Sequence, residues 1–244
     1  MKETEQKDKI NNLQNKIIGI TIGIRFARSF RIPDISGDII DNILYSESTP
    51  FGTKYFPKVQ ENSSREKTLY NEETSEYLRI NTDDLILGIK INNDFQKQYD
   101  WLRIRVLNYF KDTLFLKYKI QNIRRVGVIF YHKTSKMKEL NEAVSLITGK
   151  QLDKIENLNI SFSKKLPADE SLYRKNVSDY RNIIYNFNEV TESIHAALDY
   201  QYYYEPPIED LRECFVDNFF NDAKIFLENN YYKWLPIHEN KEIN

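Results

Sequence analysis

Apolar and polar residues alternate strictly along the first ordered stretch, from Ile17 to Phe30. Ile18, Ile20, Ile22, Ile24 and Phe26 fall on one side, and Gly19, Thr21, Gly23, Arg25 and Ala27 on the other. A period of two is that of a half-buried strand. No G-K-[ST] or G-x-G-x-x-G follows Gly19 and Gly23, so they read as strand glycines and not as a phosphate loop. Past Pro33, the residues Ile35, Ile39, Ile40, Ile43 and Leu44 recur at helical spacing. The span from Thr49 to Glu76 is polar and broken by Pro50, Gly52 and Pro57, which predicts loops and short exposed strands. Tyr77 to Ile80 and Leu85 to Ile91 flank Asn81-Thr82-Asp83-Asp84 and predict a hairpin.

Asn92-Asn93-Asp94 is a capping cluster, and Phe95, Tyr99, Leu102, Val106, Tyr109, Phe110 and Thr113 then trace one face of a long helix ending near Tyr118. Val126 to Tyr131 is apolar on both faces, as expected of a central strand. Met137 to Ile147 predicts a short helix stopped by Gly149. Strands are expected around Ile160, from Tyr180 to Phe187 and from Ile194 to Tyr204, followed by a helix opened by Pro206-Pro207 and buried through Ile208, Leu211, Phe215, Phe219, Ala223 and Phe226. The expected fold class is α+β: antiparallel or mixed sheets with two long helices. Each half ends in a helix, so the expected domain, 15–236, reads as two similar lobes, 15–120 and 121–236. The ends, 1–14 and 237–244, are expected to be a flexible lead and tail.

Composition narrows the class. A hydrophobic fraction of 41% with 14% aromatics belongs to a folded chain, because disorder needs few aromatics. No apolar run approaches the roughly 18 residues of a membrane span, and the mean hydropathy is -0.62. The N-terminal lead lacks an apolar signal core, and one cysteine, Cys214, fits a reducing compartment, so a soluble cytoplasmic protein is expected.

Net charge is -1, yet its distribution is uneven. From Phe95 to Lys138 eleven Lys or Arg stand against Asp100 and Asp112, a formal +9. From Asn186 to Asp222 nine carboxylates stand against Arg212, a formal -8. Patches of opposite sign steer association with a protein partner or a second copy, and a basic patch also suits phosphates. The residues that remain for such contact are Arg103, Arg105, Arg124, Arg125, Lys133, Lys136 and Lys138.

Candidate chemistry is sparse. His132, His195 and His238 have no ligand partner at helical spacing, and no zinc pattern is present. Asp199, Gln201 and Glu205 share one strand face with Tyr203, which reads as a wet polar row or, with a third oxygen ligand, as a cation site. Cys214 lies among apolar helix positions and reads as core. No catalytic residue, metal or cofactor is expected.

Arg125-Val126-Gly127-Val128 and Leu198-Asp199-Tyr200 carry a resemblance. The order of elements from Ile17 to Trp234 resembles a sporadically distributed family of uncharacterised bacterial proteins with a mid-chain R-[IV]-G-[LV] strand after a long helix and a late L-D strand before a final helix. The family supplies no catalytic residues to carry over. Its patchy distribution implies mobile loci such as phage defence or toxin–antitoxin modules. The expected function is a non-enzymatic cytoplasmic binding or accessory protein acting through protein contacts, as an oligomer or a subunit of such a complex. The alternative is a nucleic-acid-binding protein using the basic segment 97–138.

Overall fold

The computed structural model describes residues 17–92, 94–134, 159–168, 178–190, 193–214 and 216–229. The lead 1–14, the tail 237–244, the predicted helix Met137–Ile147 and the candidate residues Lys136 and Lys138 lie outside these residues. Among the described residues nine strands form one sheet: β1 (Ile17–Phe26), β2 (Lys58–Ser63), β3 (Glu66–Asn71), β4 (Glu76–Asn81), β5 (Asp84–Lys90), β6 (Ile123–Thr134), β7 (Asn159–Pro167), β8 (Tyr180–Val190) and β9 (Ser193–Ile208). Their spatial order is β2-β3-β4-β5-β1-β6-β9-β8-β7, and every pairing is antiparallel.

The fold is therefore α+β, with one sheet in place of separate sheets for separate lobes. The strands of 15–120 and those of 121–236 join through β1 and β6, with Ile22 opposite Val128 and Gly23 opposite Gly127. Both strands are apolar on the side that meets the helices, so their pairing extends the core across the two halves.

Among the described residues the helices are α1 (Arg31–Asp34), α2 (Ser36–Tyr45), α3 (helical from Phe95 to Tyr118) and α4 (Val216–Asn229). The last is shorter than the periodicity suggests, because Pro206-Pro207 ends β9 instead of opening a helix. A 3₁₀ turn, Leu211–Glu213, intervenes under an Asp210–Glu213 capping box.

Two π-helical stretches, Leu102–Val106 and Phe110–Phe115, interrupt α3. Their cause is visible in the spacing. Leu102, Val106, Phe110, Leu114 and Tyr118 recur every fourth residue, and all are buried. In a regular α-helix each such step turns the side chain by about 40° more, which would carry Tyr118 far from the face of Leu102. The wider π turns take up that rotation and keep the stripe on the sheet.

α2, α3 and α4 pack on one face of the sheet. Phe26 meets Phe115 edge-on at 5.9 Å, Phe130 lies against Phe95 and Tyr99, and Tyr200 against Phe219. Buried polar groups fix the helices in place. Tyr99 donates to the Phe220 carbonyl at 2.6 Å, Tyr109 to Asn42 at 2.7 Å, Tyr118 to the Asp38 carbonyl at 2.6 Å, and Arg181 pairs with Asp222 at 3.3 Å. Each hydroxyl would cost free energy if buried unpaired, so these bonds select one helix arrangement among many apolar ones.

Phe130 is fully buried where α3 meets the central strands. Phe130→Ala should lower unfolding free energy by about 3–5 kcal/mol, read as a shift in the urea midpoint. A loss under about 1 kcal/mol would contradict this packing.

Candidate functional site

No described helix covers the second face of the sheet. Four rows of side chains cross its centre, set by the strand register. One runs Tyr77, Gly88, Thr21, Ile129, Asp199, Ile184. The next runs Arg79, Ile86, Gly23, Gly127, Gln201, Asn182, and the one beyond it Asp84, Arg25, Arg125, Tyr203, Tyr180. On the other side lies the row Lys90, Gly19, Tyr131, Ala197, Asn186. Gly23 and Gly127 are directly opposed; a Cβ on Gly23 would meet no atom within 4 Å, whereas one on Gly127 would meet Gln201 Cγ at 3.5 Å, so the floor is open on the Gly23 side alone. A cavity of about 330 Å³ on this face is lined by Tyr77, Tyr131, Lys90 and His195, among others.

A hydrogen-bonded chain links three of the strand residues to Arg125. Arg125 Nη1 donates to the Tyr203 hydroxyl at 3.3 Å, the hydroxyl donates to Gln201 Oε1 at 2.8 Å, and Gln201 Nε2 donates to Asp199 Oδ2 at 2.6 Å. Among the described residues Arg125 Nε is buried without an acceptor. Burial pushes the Asp199 carboxyl up to about 6, against the lowering effect of Gln201 and Arg125. Tyr203 and Tyr180 stack face to face at 4.7 Å, with the Arg125 guanidinium 5.7 Å from the centre of the Tyr203 ring and the Lys165 ammonium 3.7 Å from the centre of the Tyr180 ring.

Arg25 stands directly opposite Arg125 across β1 and β6. Like charges in that relation are unfavourable unless something neutralises them. Around them the same end of the sheet gathers two short acid-free segments: residues 25–31 carry Arg25, Arg28 and Arg31, and residues 119–125 carry Lys119, Arg124 and Arg125. The segments are laced together by the Ala27 amide donating to the Asn122 carbonyl at 2.9 Å. Arg125 is half-buried and the other five are exposed. Arg28 lies 4.0 Å from Asp83, and Arg25 is close enough to Asp84 to act on its carboxyl. Among the described residues, Arg31, Lys119 and Arg124 have no ion pair. Phe30, between Arg28 and Arg31, is 67% exposed.

The sequence-derived candidates divide. Arg124 and Arg125 belong to this rim. Lys133 lies at the far end of β6, eight residues from Arg125 and so about 26 Å away. Arg103 and Arg105 are on α3, in the helical layer, where Arg103 bonds Asn221 at 3.0 Å and faces Asp100 at 3.7 Å. Segment 97–138 is therefore not one patch. Arg25, Arg28 and Arg31 fall outside that segment because they precede it by some seventy residues. Only the β1–β6 register joins them to Arg125, although the spacing R-x-x-R-x-x-R is itself a local feature of the sequence.

Searches against protein-family models and against curated proteins find no match to this chain.

The remaining candidates have structural surroundings. Cys214 is buried, bonded to the Tyr204 hydroxyl, and its thiol is pushed up to about 12 by burial, so it carries little thiolate at neutral pH. Glu205 is exposed and six strand residues from Asp199, about 20 Å away, so the two cannot share one cation. Among the described residues no three His, Cys, Asp or Glu side chains converge. His132 is buried on the helical side. No described helix is long and apolar enough to cross a membrane.

Asp199 makes stability depend on pH. Its folded pKa lies above the ordinary 3.8, so the folded chain binds the proton more tightly and stability falls as pH rises from about 4 through about 6. Asp199→Asn removes that loss. Relative to the wild type, the variant should gain about 1–3 kcal/mol between pH 4 and pH 7.5 in urea unfolding, and an unchanged difference at the two pH values would refute the assignment.

Proposed function

We propose that this chain is a binding protein for single-stranded nucleic acid, with the arginine-rich end of its sheet as the contact surface. One observation carries the reading: the Phe30 ring stands exposed between Arg28 and Arg31, beside a second basic segment that includes Lys119 and Arg124. A scattered exposed apolar residue needs no explanation. An aromatic ring set among cations is different, because a base stacks on the ring while the cations meet the flanking phosphates. Five of the six rim cations are arginines, whose planar forks match phosphate oxygens in pairs. The opposition of Arg25 and Arg125 is relieved when an anion lies across them.

A second reading, contact with another protein in a complex of the defence or toxin–antitoxin type, is favoured by β2. All six of its residues are exposed, and it forms an edge of the sheet. Such an edge suits strand addition by a partner, although Lys58 and Glu61 place charges along it. The two readings use different surfaces and can hold together.

Fluorescence anisotropy with a labelled oligothymidine of about 20 nucleotides tests the first reading. Binding at about 50 mM salt should weaken steeply as salt rises, and the double variant Arg31→Ala with Arg124→Ala should reduce the slope of log K against log salt by about 1.4. Phe30→Ala should cost about 1–3 kcal/mol and leave that slope unchanged. Absence of binding at low salt, or variants indistinguishable from the wild type, would sink the proposal.

A further inference from the structure

Beneath the rim, a recess of about 190 Å³ separates the loop after β1 from the segment that follows α3, and it is lined by Arg28, Ser29, Arg31, Lys119, Gln121 and Asn122, among others. Backbone bonds hold its walls. The Ser29 amide donates to the Thr82 carbonyl at 2.7 Å, the Asn122 amide to the Glu209 carbonyl at 3.0 Å, and the Ile120 amide to the Phe115 carbonyl at 3.0 Å. The last of these, with the Lys119 amide donating to the Leu116 carbonyl, satisfies the final turn of α3. Lys119 takes the left-handed conformation that such a helix end requires, at φ 51°. Two of the three cations on the wall, Arg31 and Lys119, lack an ion pair among the described residues, and the third, Arg28, is 4.0 Å from Asp83.

We infer that this recess seats a terminal phosphate of the bound strand, a phosphate monoester at one of its ends. The inference rests on the nucleic-acid reading above and narrows it. The recess is smaller than the roughly 300–1,000 Å³ that holds a whole small ligand, so it admits a phosphate group and excludes the nucleoside. An internal phosphodiester continues into chain on both sides and cannot fill a recess from its mouth. A terminal monoester has one substituent and carries about -1.5 to -2 at neutral pH, whereas a diester carries one charge. That larger charge matches a wall with three cations. Phe30 does not line the recess and stays exposed, which leaves it for the first base outside.

The experiment compares three otherwise identical oligonucleotides ending in a 5′-phosphate, a 3′-phosphate or hydroxyls only, binding to the full chain. One of the phosphorylated ends should bind about tenfold more tightly than the hydroxyl form. Lys119→Gly should bring that ratio close to one. It removes a wall cation and suits the left-handed backbone, so it keeps the fold. Arg31→Ala should lower the ratio as well, along with general affinity. Equal binding of all three ends by the wild type would overturn the inference and leave the nucleic-acid reading intact. A ratio that survives in both variants would overturn it too. Failure of every oligonucleotide to bind would remove both.

Discussion

The antiparallel pairing of β1 with β6 is the contact on which the rest of the molecule depends. It joins strands from the first and second halves of the chain, closes the apolar face over which α3 lies, and places Arg25 opposite Arg125. A slip of one residue in this register would turn every side chain of one strand to the other face, exposing Ile22 or Val128 and burying an arginine. The hydrophobic face therefore holds the charged pair in position. The energy that fixes the arginines comes from the residues behind them, not from the arginines themselves.

The two faces of the sheet follow different physics. On the helical side, aromatic rings and aliphatic chains fill the space, and a few buried hydroxyls such as that of Tyr99 choose among otherwise similar packings. On the other side, the Arg125–Tyr203–Gln201–Asp199 chain is a polar network with spare capacity: one guanidinium nitrogen lacks an acceptor, and one carboxyl is held toward its neutral form. A network left partly unsatisfied costs free energy in the folded protein.

Helix α3 connects these layers to the rim. Its π stretches keep an every-fourth-residue stripe on the sheet through to Tyr118, and only then does the chain turn left-handed at Lys119 and enter β6. Without the wider turns the helix would end facing elsewhere, and Lys119 would not stand over the loop that carries Arg28 and Arg31. The placement of one cation thus depends on the apolar spacing of twenty residues before it.

By itself the sequence determined the strands and helices where periodicity was strong: the β4–β5 hairpin, α2, α3 and β9 lie where alternation or helical spacing puts them, because side-chain periods are local properties, and β1 does so as far as Phe26, short of the Phe30 that the alternation suggests. The shared face of Asp199, Gln201 and Tyr203 was legible for the same reason. The start of α4 was not, since Pro206-Pro207 suits a helix's first turn and a strand's end equally well. Tertiary structure alone decided that the strands make one sheet, and which charges meet. A count along the chain gathered Arg103, Arg105 and Arg125 into one basic segment, yet the fold sends them to different layers and brings Arg25, Arg28 and Arg31 beside Arg124 and Lys119. Charge proximity is set by strand pairing between residues about a hundred positions apart, and no local pattern records it.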